Sequence, residues 1–416
     1  MSFSDLQVHS TLIKTLDKLS YKSPTPVQNK VIPKILCGHD LRVSAPTGTG
    51  KTAAFLLPSI TKLLKEPSTV KGKGPRVLIL VPTRELALQV TSQAEKYSKT
   101  LQRMKTVCIY GGVAYQKQIR ELKRPHEIIV ATPGRLIDHL EKGLLCFKRL
   151  EILVLDEADR MLDMGFSEPV QKIAKAIPAK RQTLLFSATL KGNVLALSKR
   201  LLTNPLEINI QFEINKKQNI NQTLYYVDDI RHKNKILHHL LKDPKIEQAI
   251  IFTKTKRQAD NLTKILLSKD HAVAKLHGDM NQRQRTNTIR LLRKGKYRIL
   301  VATDVASRGI DVKTISHVIN FDFPTTTDDY IHRIGRTARA GATGTAFSFV
   351  TNNERSLIRP IEKSTGKTIE SDVISGLEPI KKQAKKTSFS QKNFRNKKRK
   401  RFSRKSNKRS SKRSRW

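Results

Sequence analysis

Short runs rich in apolar residues, each followed by a stretch of helical period, limit what this chain can fold into. In the first half they occupy residues 41–45, 77–81, 106–110, 127–131, 151–155 and 183–187. A strand that is apolar on both faces must be covered on both, and helices crossing between successive strands give that cover when the strands run parallel. The first half is therefore expected to be a parallel α/β domain.

A polar stretch at 211–221 (QFEINKKQNIN) interrupts the rhythm, which resumes with runs at 223–227, 249–252, 272–276, 299–303, 317–321 and 345–350. With 416 residues the chain exceeds one ordinary domain. The expected organisation is a first domain at 1–207, a linker at 208–222, a second domain at 223–365 closed by a helix at 353–361, and a short extension at 366–380. Between Lys381 and Trp416 stand 18 basic residues, no acidic one and almost no aliphatic one. Such a tail cannot bury enough apolar area to offset its chain entropy and is expected to be disordered when free. Its aromatics Phe389, Phe394, Phe402 and Trp416 alternate with Lys and Arg, a mixture that can stack on unpaired bases.

Over the whole chain 80 Lys and Arg face 35 Asp and Glu, a formal charge of +45. A field of that sign fits a nucleic-acid partner; an anionic membrane surface or simple solubility are the other readings. Cys37, Cys108 and Cys146 lie far apart, with no metal-type spacing to one another or to a His. The opening MSFSDLQVHS has no basic region before an apolar core, and no apolar run reaches eighteen residues. A soluble protein of a reducing compartment, the cytoplasm, with no membrane partner, is expected.

Chemistry enters with the loop Ala45 to Thr52 (APTGTGKT), which follows the first strand run. Its small residues let successive backbone N–H groups converge on phosphate oxygens, Lys51 can reach the β and γ phosphates, and the Thr52 hydroxyl can ligate Mg²⁺. About one hundred residues on, Asp156-Glu157-Ala158-Asp159 closes another buried strand. Asp156 can hold the Mg²⁺ through water, and Glu157 can orient or deprotonate the attacking water. Loop and tetrad together point to ATP hydrolysis. The second half carries no phosphate loop, so one ATP is expected. Near its end Arg333, Arg336 and Arg339 recur at three-residue intervals in HRIGRTAR, which would align them along one side of a helical turn as forks suited to phosphate.

These motifs occur in the order found in the DEAD-box RNA helicases of superfamily 2, which the chain resembles over about residues 3–365. Pro82 to Leu86 (PTREL), Gly111-Gly112, Thr132 to Arg135 (TPGR), Ser187-Ala188-Thr189, Ala302 to Asp311 (ATDVASRGID) and His332 to Arg339 carry the resemblance. The strings SAPTGTGKTAAFLLP, GGVAY, DEADRMLDMGF and HRIGRTARAG are most similar to the bacterial SrmB and RhlE branch, with SrmB the nearer. The resemblance implies two tandem RecA-like domains, one ATP with Mg²⁺, and RNA as partner.

It also implies roles for single residues. Phe3, Tyr21 and Gln28 form the adenine site of a Q motif: the Gln28 amide offers a donor and an acceptor to the base edge, and Tyr21 can stack on it. Ala45, Pro46, Thr47, Gly48, Thr49, Gly50, Lys51 and Thr52 hold the phosphates, and Asp311 the ribose. Arg336 and Arg339 are arginine fingers. Ser187 and Thr189, hydrogen-bonding toward Asp159 and His332, couple the domains together with Arg308. RNA contacts fall to Pro82, Arg84, Gly112, Thr132, Pro133 and Arg135 in the first domain and to Gln282, Arg285 and Thr303 in the second. Remodelling of ribosomal RNA during large-subunit assembly follows from the SrmB likeness, with ribosomal proteins or assembly intermediates as partners. RNA turnover and an ATP-dependent RNA clamp are the alternatives.

Overall fold

The computed structural model describes residues 2–380 apart from 47, 69, 71, 73, 102–103, 191, 211–219, 308–311, 313 and 339–342. The basic tail, most of the polar stretch at 211–221, and the site candidates Thr47, Arg308, Asp311 and Arg339 thus lie outside the described residues.

The apolar runs form two seven-stranded sheets in which every pairing is parallel. The first contains β1 (Leu41–Ser44), β2 (Val77–Leu80), β3 (Thr106–Ile109), β4 (Ile128–Ala131), β5 (Ile152–Leu155), β6 (Gln182–Ser187) and β7 (Leu206–Asn209), in the order β3-β4-β2-β5-β6-β1-β7. The second contains β8 (Ile220–Tyr226), β9 (Ala249–Phe252), β10 (Val273–Leu276), β11 (Ile299–Ala302), β12 (His317–Asn320), β13 (Gly344–Val350) and β14 (Glu370–Asp372), in the order β10-β11-β9-β12-β13-β8-β14. The second order is the first with every number advanced by seven: one RecA-like topology used twice in one chain.

Burial on both faces is visible along single strands. Val77 and Ile79 of β2 pack into one apolar cluster, with Val130 and Val154 of its neighbours. Leu78 and Leu80 enter the cluster on the opposite face, with Ile129, Leu153 and Leu155. A period of two places successive side chains on opposite faces, and full burial of each contributes about 1.5 to 3 kcal/mol. Among the described residues no helix is long and apolar enough to cross a membrane. The three cysteines are free, and burial pushes the Cys108 thiol up to about 12.

Three features differ from the sequence expectation. β7 and β14 lie outside the expected strand runs, because they are sheet edges with largely exposed side chains and lack the apolar run that marks a central strand. Ile208 and Asn209 belong to β7 and β8 starts at Ile220, so strands extend into the stretch read as linker from both ends. The closing helix is two pieces, a 3₁₀ segment Asn352–Leu357 and an α-helix Ile358–Thr365. Pro360 has no N–H to donate and is accommodated in the first turn of the second piece, where no intrahelical donor is needed.

Because all strands run parallel, their C-terminal ends share one edge of each sheet, the edge at which open α/β sheets bind ligands. The phosphate loop leaves β1, Pro82 to Leu86 leave β2, Gly111-Gly112 follow β3, Thr132 to Arg135 follow β4 and the acidic tetrad follows β5.

Candidate nucleotide and nucleic-acid sites

The phosphate loop is held from below by the segment that precedes it. Thr25 and Gln28 form a capping box at the start of helix Pro26–Leu36, with Thr25 N–H donating to Gln28 Oε1 at 3.0 Å. The other end of the amide donates from Nε2 to the Gly50 carbonyl at 3.1 Å. Gly50 has φ 94°, and a Cβ there would lie 2.5 Å from Gln28 Nε2, so the loop and the Q-motif glutamine fit only around a glycine. Gln28 is 2% exposed. With one bond at each end, one Nε2 hydrogen and one Oε1 lone pair remain for a base. Tyr21 is half-buried and its hydroxyl shares a 3.0 Å hydrogen bond with that of Tyr97. Phe3 is a core residue that meets Tyr21 edge-on with centroids 6.5 Å apart, and so borders the site through Tyr21. Within the loop, Lys51 Nζ donates to the Ala45 carbonyl at 2.7 Å and Thr49 Oγ1 to the Pro46 carbonyl at 2.9 Å. Lys51 begins helix Lys51–Lys65, whose N-terminal end favours anions.

At the end of β5, Asp156 is buried and its carboxyl is pushed up to about 7, by desolvation first, with Lys51 pulling it back down and Glu157 raising it further. A divalent cation beside it would hold it ionised. Its oxygen, the Thr52 hydroxyl, nucleotide phosphates and water make an oxygen donor set of the kind Mg²⁺ prefers, and among the described residues no cluster of three or more His, Cys, Asp or Glu offers an all-protein cage. Glu157 accepts the left-handed conformation, φ 53°, at the turn into helix Ala158–Asp163.

Asp159 joins the halves. Its Oδ1 accepts from Arg160 N–H at 3.0 Å, and its Oδ2 accepts from Ala188 N–H at 3.1 Å and lies 3.9 Å from His332 Nε2. This corrects the expected hydrogen bonding of Ser187 and Thr189. The Ser187 hydroxyl donates to the Thr189 carbonyl at 2.6 Å, and it is the backbone between them that reaches Asp159. A folded-back hydroxyl turn presents the Ala188 N–H, which a reading of side chains alone does not find. His332 is 7% exposed, and its Nδ1 is buried without a hydrogen-bond partner among the described residues.

The arginine row is also corrected. Helix Thr327–Ile334 stops at Gly335, so the spacing does not continue along one helical face. Arg333 points into its own half. It clamps Asp304 with two bonds of 2.7 Å, donates to Asn320 Oδ1 at 3.2 Å and to the Asp322 carbonyl at 2.6 Å, and stacks over Phe252. Arg336, in the turn beyond, is buried with Nε donating to the His332 carbonyl at 3.2 Å.

Of the expected RNA residues, Arg84 and Gly112 are in contact. Gly112 has φ 82°, and a Cβ there would meet Arg84 Nη1 at 2.2 Å. Pro82, Thr132 and Pro133 are buried, Thr132 and Pro133 at the start of helix Pro133–Glu141. Arg135 reaches the Val113 carbonyl at 3.4 Å and pairs with Asp138. A cleft of about 850 Å³ lies between Gly112 to Ala114 of the first half and Gln282, Arg283 and Asn287 of the second. Both polar atoms of the Gln282 amide are buried there without a partner among the described residues. Thr303 follows β11 and is half-buried. Arg285 is not turned toward the cleft as expected: its Nε donates to Glu85 Oε1 of the first half at 2.8 Å, and its other nitrogens to the Ala306 and His277 carbonyls. A charge as deeply buried as Arg285 requires a carboxylate, and sequence spacing gives no sign of a partner so distant.

Two RecA-like sheets carrying a phosphate loop and a buried acidic tetrad define a two-domain nucleotide hydrolase. Residues 25–197 match the DEAD/DEAH box helicase family and residues 232–341 the helicase conserved C-terminal domain. The chain belongs to the DEAD-box helicases and is an ATP-dependent RNA helicase of that type, with RNA-dependent ATPase activity. It is similar to SrmB of Haemophilus influenzae, an ATP-dependent RNA helicase, at 42% identity over 92% of this chain and 87% of that one, and to Escherichia coli SrmB at 41% over 91% and 85%. Among solved structures, Saccharomyces cerevisiae Dbp5 bound to RNA and ADP BeF3 superposes with a TM-score of 0.80 at 31% identity, covering 90% of this chain and 95% of that one. Mss116p bound to ssRNA and AMP-PNP gives 0.79 at 29%, over 89% and 78%.

Proposed function

We propose that ATP and single-stranded RNA together close the two halves, that closure separates a short stretch of RNA duplex, and that hydrolysis reopens the cleft. The observation that favours this reading is the meeting at Asp159: the buried tetrad of one half and the His332 segment of the other come within 3.9 Å at a single carboxylate. In this reading Lys51, Thr52 and the loop amides hold the phosphates, and Gln28 and Tyr21 the adenine. Glu157 orients the water, and Arg336 and Arg339 stabilise charge on the transferred phosphoryl group. Mg²⁺, held by Asp156 and Thr52, would neutralise phosphate charge. Arg84, Gly112, Thr132, Arg135 and Gln282 hold RNA phosphates and 2′-hydroxyls, which makes binding largely independent of sequence. Each ligand binds across the cleft, so each favours the state the other needs, and their affinities are reciprocally coupled.

The residues from Lys381 onward act as a basic arm that recruits RNA, and the physiological substrate is ribosomal RNA in cytoplasmic assembly of the large subunit, as the likeness to SrmB suggests. The test is ATP hydrolysis with and without total ribosomal RNA, in the wild type, in Glu157→Gln and in a chain ending at Ile380. Stimulation that disappears in Glu157→Gln is the expected result. Truncation should weaken RNA binding and flatten its salt dependence, because fewer counterions are released. Absence of stimulation in every form would overturn the reading.

A further inference from the structure

We infer that Arg160 is a positioning residue for hydrolysis: from the first half it docks helix Thr327–Ile334, and through that helix sets His332 and Arg336 against the nucleotide site. The inference rests on the arginine-finger reading above and adds to it the group that aims the finger.

Arg160 follows Asp159 directly, and its side chain is 3% exposed. Its Nη1 lies 2.8 Å from Asp329 Oδ1, and its Nη2 donates to the Asp328 carbonyl at 3.4 Å. Asp329 is at the same time part of its own helix start: its Oδ2 accepts from Thr326 Oγ1 at 2.8 Å, and its N–H donates to the same oxygen at 3.1 Å. One carboxylate therefore both fixes the first turn of the helix and receives a charge from the opposite half. His332 lies one turn further on, over Asp159, so adjacent residues of one half grip the same helix at two points. A buried guanidinium is costly to leave without its carboxylate, and the pair forms only in a narrow range of geometries. On its own helix Arg160 has a second partner, Asp163 at 3.2 Å, whose side chain is largely exposed. Opening the cleft would thus leave Arg160 a weaker but sufficient partner, so the cost of separation is tuned rather than prohibitive. Among the described residues the side-chain partners of Arg160 are Asp163, Asp328 and Asp329, which places its action on the helix.

A double-mutant cycle on the full chain tests this. RNA-stimulated hydrolysis is measured for Arg160→Met, Asp329→Asn, both together, and Arg160→Lys, with thermal unfolding as the folding control. Each single change is expected to lower kcat by about ten-fold or more while KM for ATP stays within about two-fold. The double should be no worse than either single, and Arg160→Lys should recover part of the loss. Wild-type kcat in the singles, or losses that multiply in the double, would overturn the inference. Should Arg160→Met fail to fold, the cycle of Arg160→Lys with Asp329→Asn measures the same coupling. Arg336→Ala runs in parallel: full hydrolysis in that variant removes the finger reading itself, whereas its inactivity together with an additive Arg160 and Asp329 cycle removes only the docking role.

Discussion

Arg285 and Glu85, 200 residues apart in the chain, form a 2.8 Å ion pair between the two halves with both side chains buried. Glu85 stands beside Arg84, the arginine proposed to hold RNA, so neighbouring residues of one motif would serve RNA and the other half. Glu85→Gln leaves the Arg285 charge with carbonyl partners alone, a penalty on the order of 3 kcal/mol for the closed arrangement. The expected outcome is a raised KM for RNA and a lowered RNA-stimulated kcat, with nucleotide affinity in the absence of RNA unchanged. Steady-state kinetics and a fluorescent-nucleotide titration measure the two sides.

Gly344, the first residue of β13, touches the turn after Arg336. A Cβ at 344 would lie 2.5 Å from Thr337 Oγ1 and 2.7 Å from Ala338 N. Thr337 cannot move aside, because its hydroxyl is held by the Ile315 and Ser316 carbonyls at 2.8 Å each. Gly344→Ala should cost about 1 to 3 kcal/mol of stability and lower kcat by displacing Arg336. A wild-type melting temperature and wild-type turnover together would contradict the packing described.

Gln28 bonds both its own helix cap and the phosphate loop. Gln28→Ala is expected to lose about 1 kcal/mol of stability with the cap and to raise KM for ATP and GTP together through the released Gly50 carbonyl, with a further rise for ATP alone from lost base recognition. Parallel ATP and GTP titrations separate the two effects; a rise confined to ATP would show the Gly50 bond to be idle.

His126 and His139 are buried, and desolvation pulls both below their ordinary value of 6.5. In the unfolded chain both take up protons near that value, so the fold disfavours the charged form. Their contribution to stability is complete above 6.5 and is lost as pH falls toward and through the lowered folded values. Asp156, whose raised carboxyl adds stability as pH falls, opposes this, so the histidine part is read as a difference: lowering pH from about 7.5 to about 5.5 should reduce the urea midpoint of the wild type relative to that of His139→Gln.

Sequence patterns revealed most of the central strands, since a strand buried on both faces is mostly apolar; the run at 249–252 coincides with β9. The edges β7 and β14 gave no such signal. For the site, the motifs located the segments but not which atoms meet. The three-residue spacing in HRIGRTAR treats Arg333 and Arg336 alike, yet the helix ends at Gly335: Arg333 is held inside its own half by Asp304, and Arg336 lies in the turn beyond with Nε on the His332 carbonyl. Asp304, which holds Arg333, does lie in a motif, Ala302 to Asp311, but nothing there announces the pairing; Asp329, which receives Arg160, lies in none of the motifs. Arg160 could have been suspected from the acidic doublet Asp328-Asp329 just ahead of a basic segment, a charge pattern that invites a cation from elsewhere.

Glu157 sits at φ 53°, a backbone region that costs a glutamate about 1 to 2 kcal/mol and a glycine almost nothing. With the proposed role of Glu157 in orienting water, stability and turnover would pull in opposite directions at this position, and Glu157→Gly is expected to give a sturdier protein that hydrolyses little. In a lineage released from the need to hydrolyse ATP, drift at position 157 would run downhill, and a relative with glycine there would be recognisable as one that has kept the fold and given up the cycle.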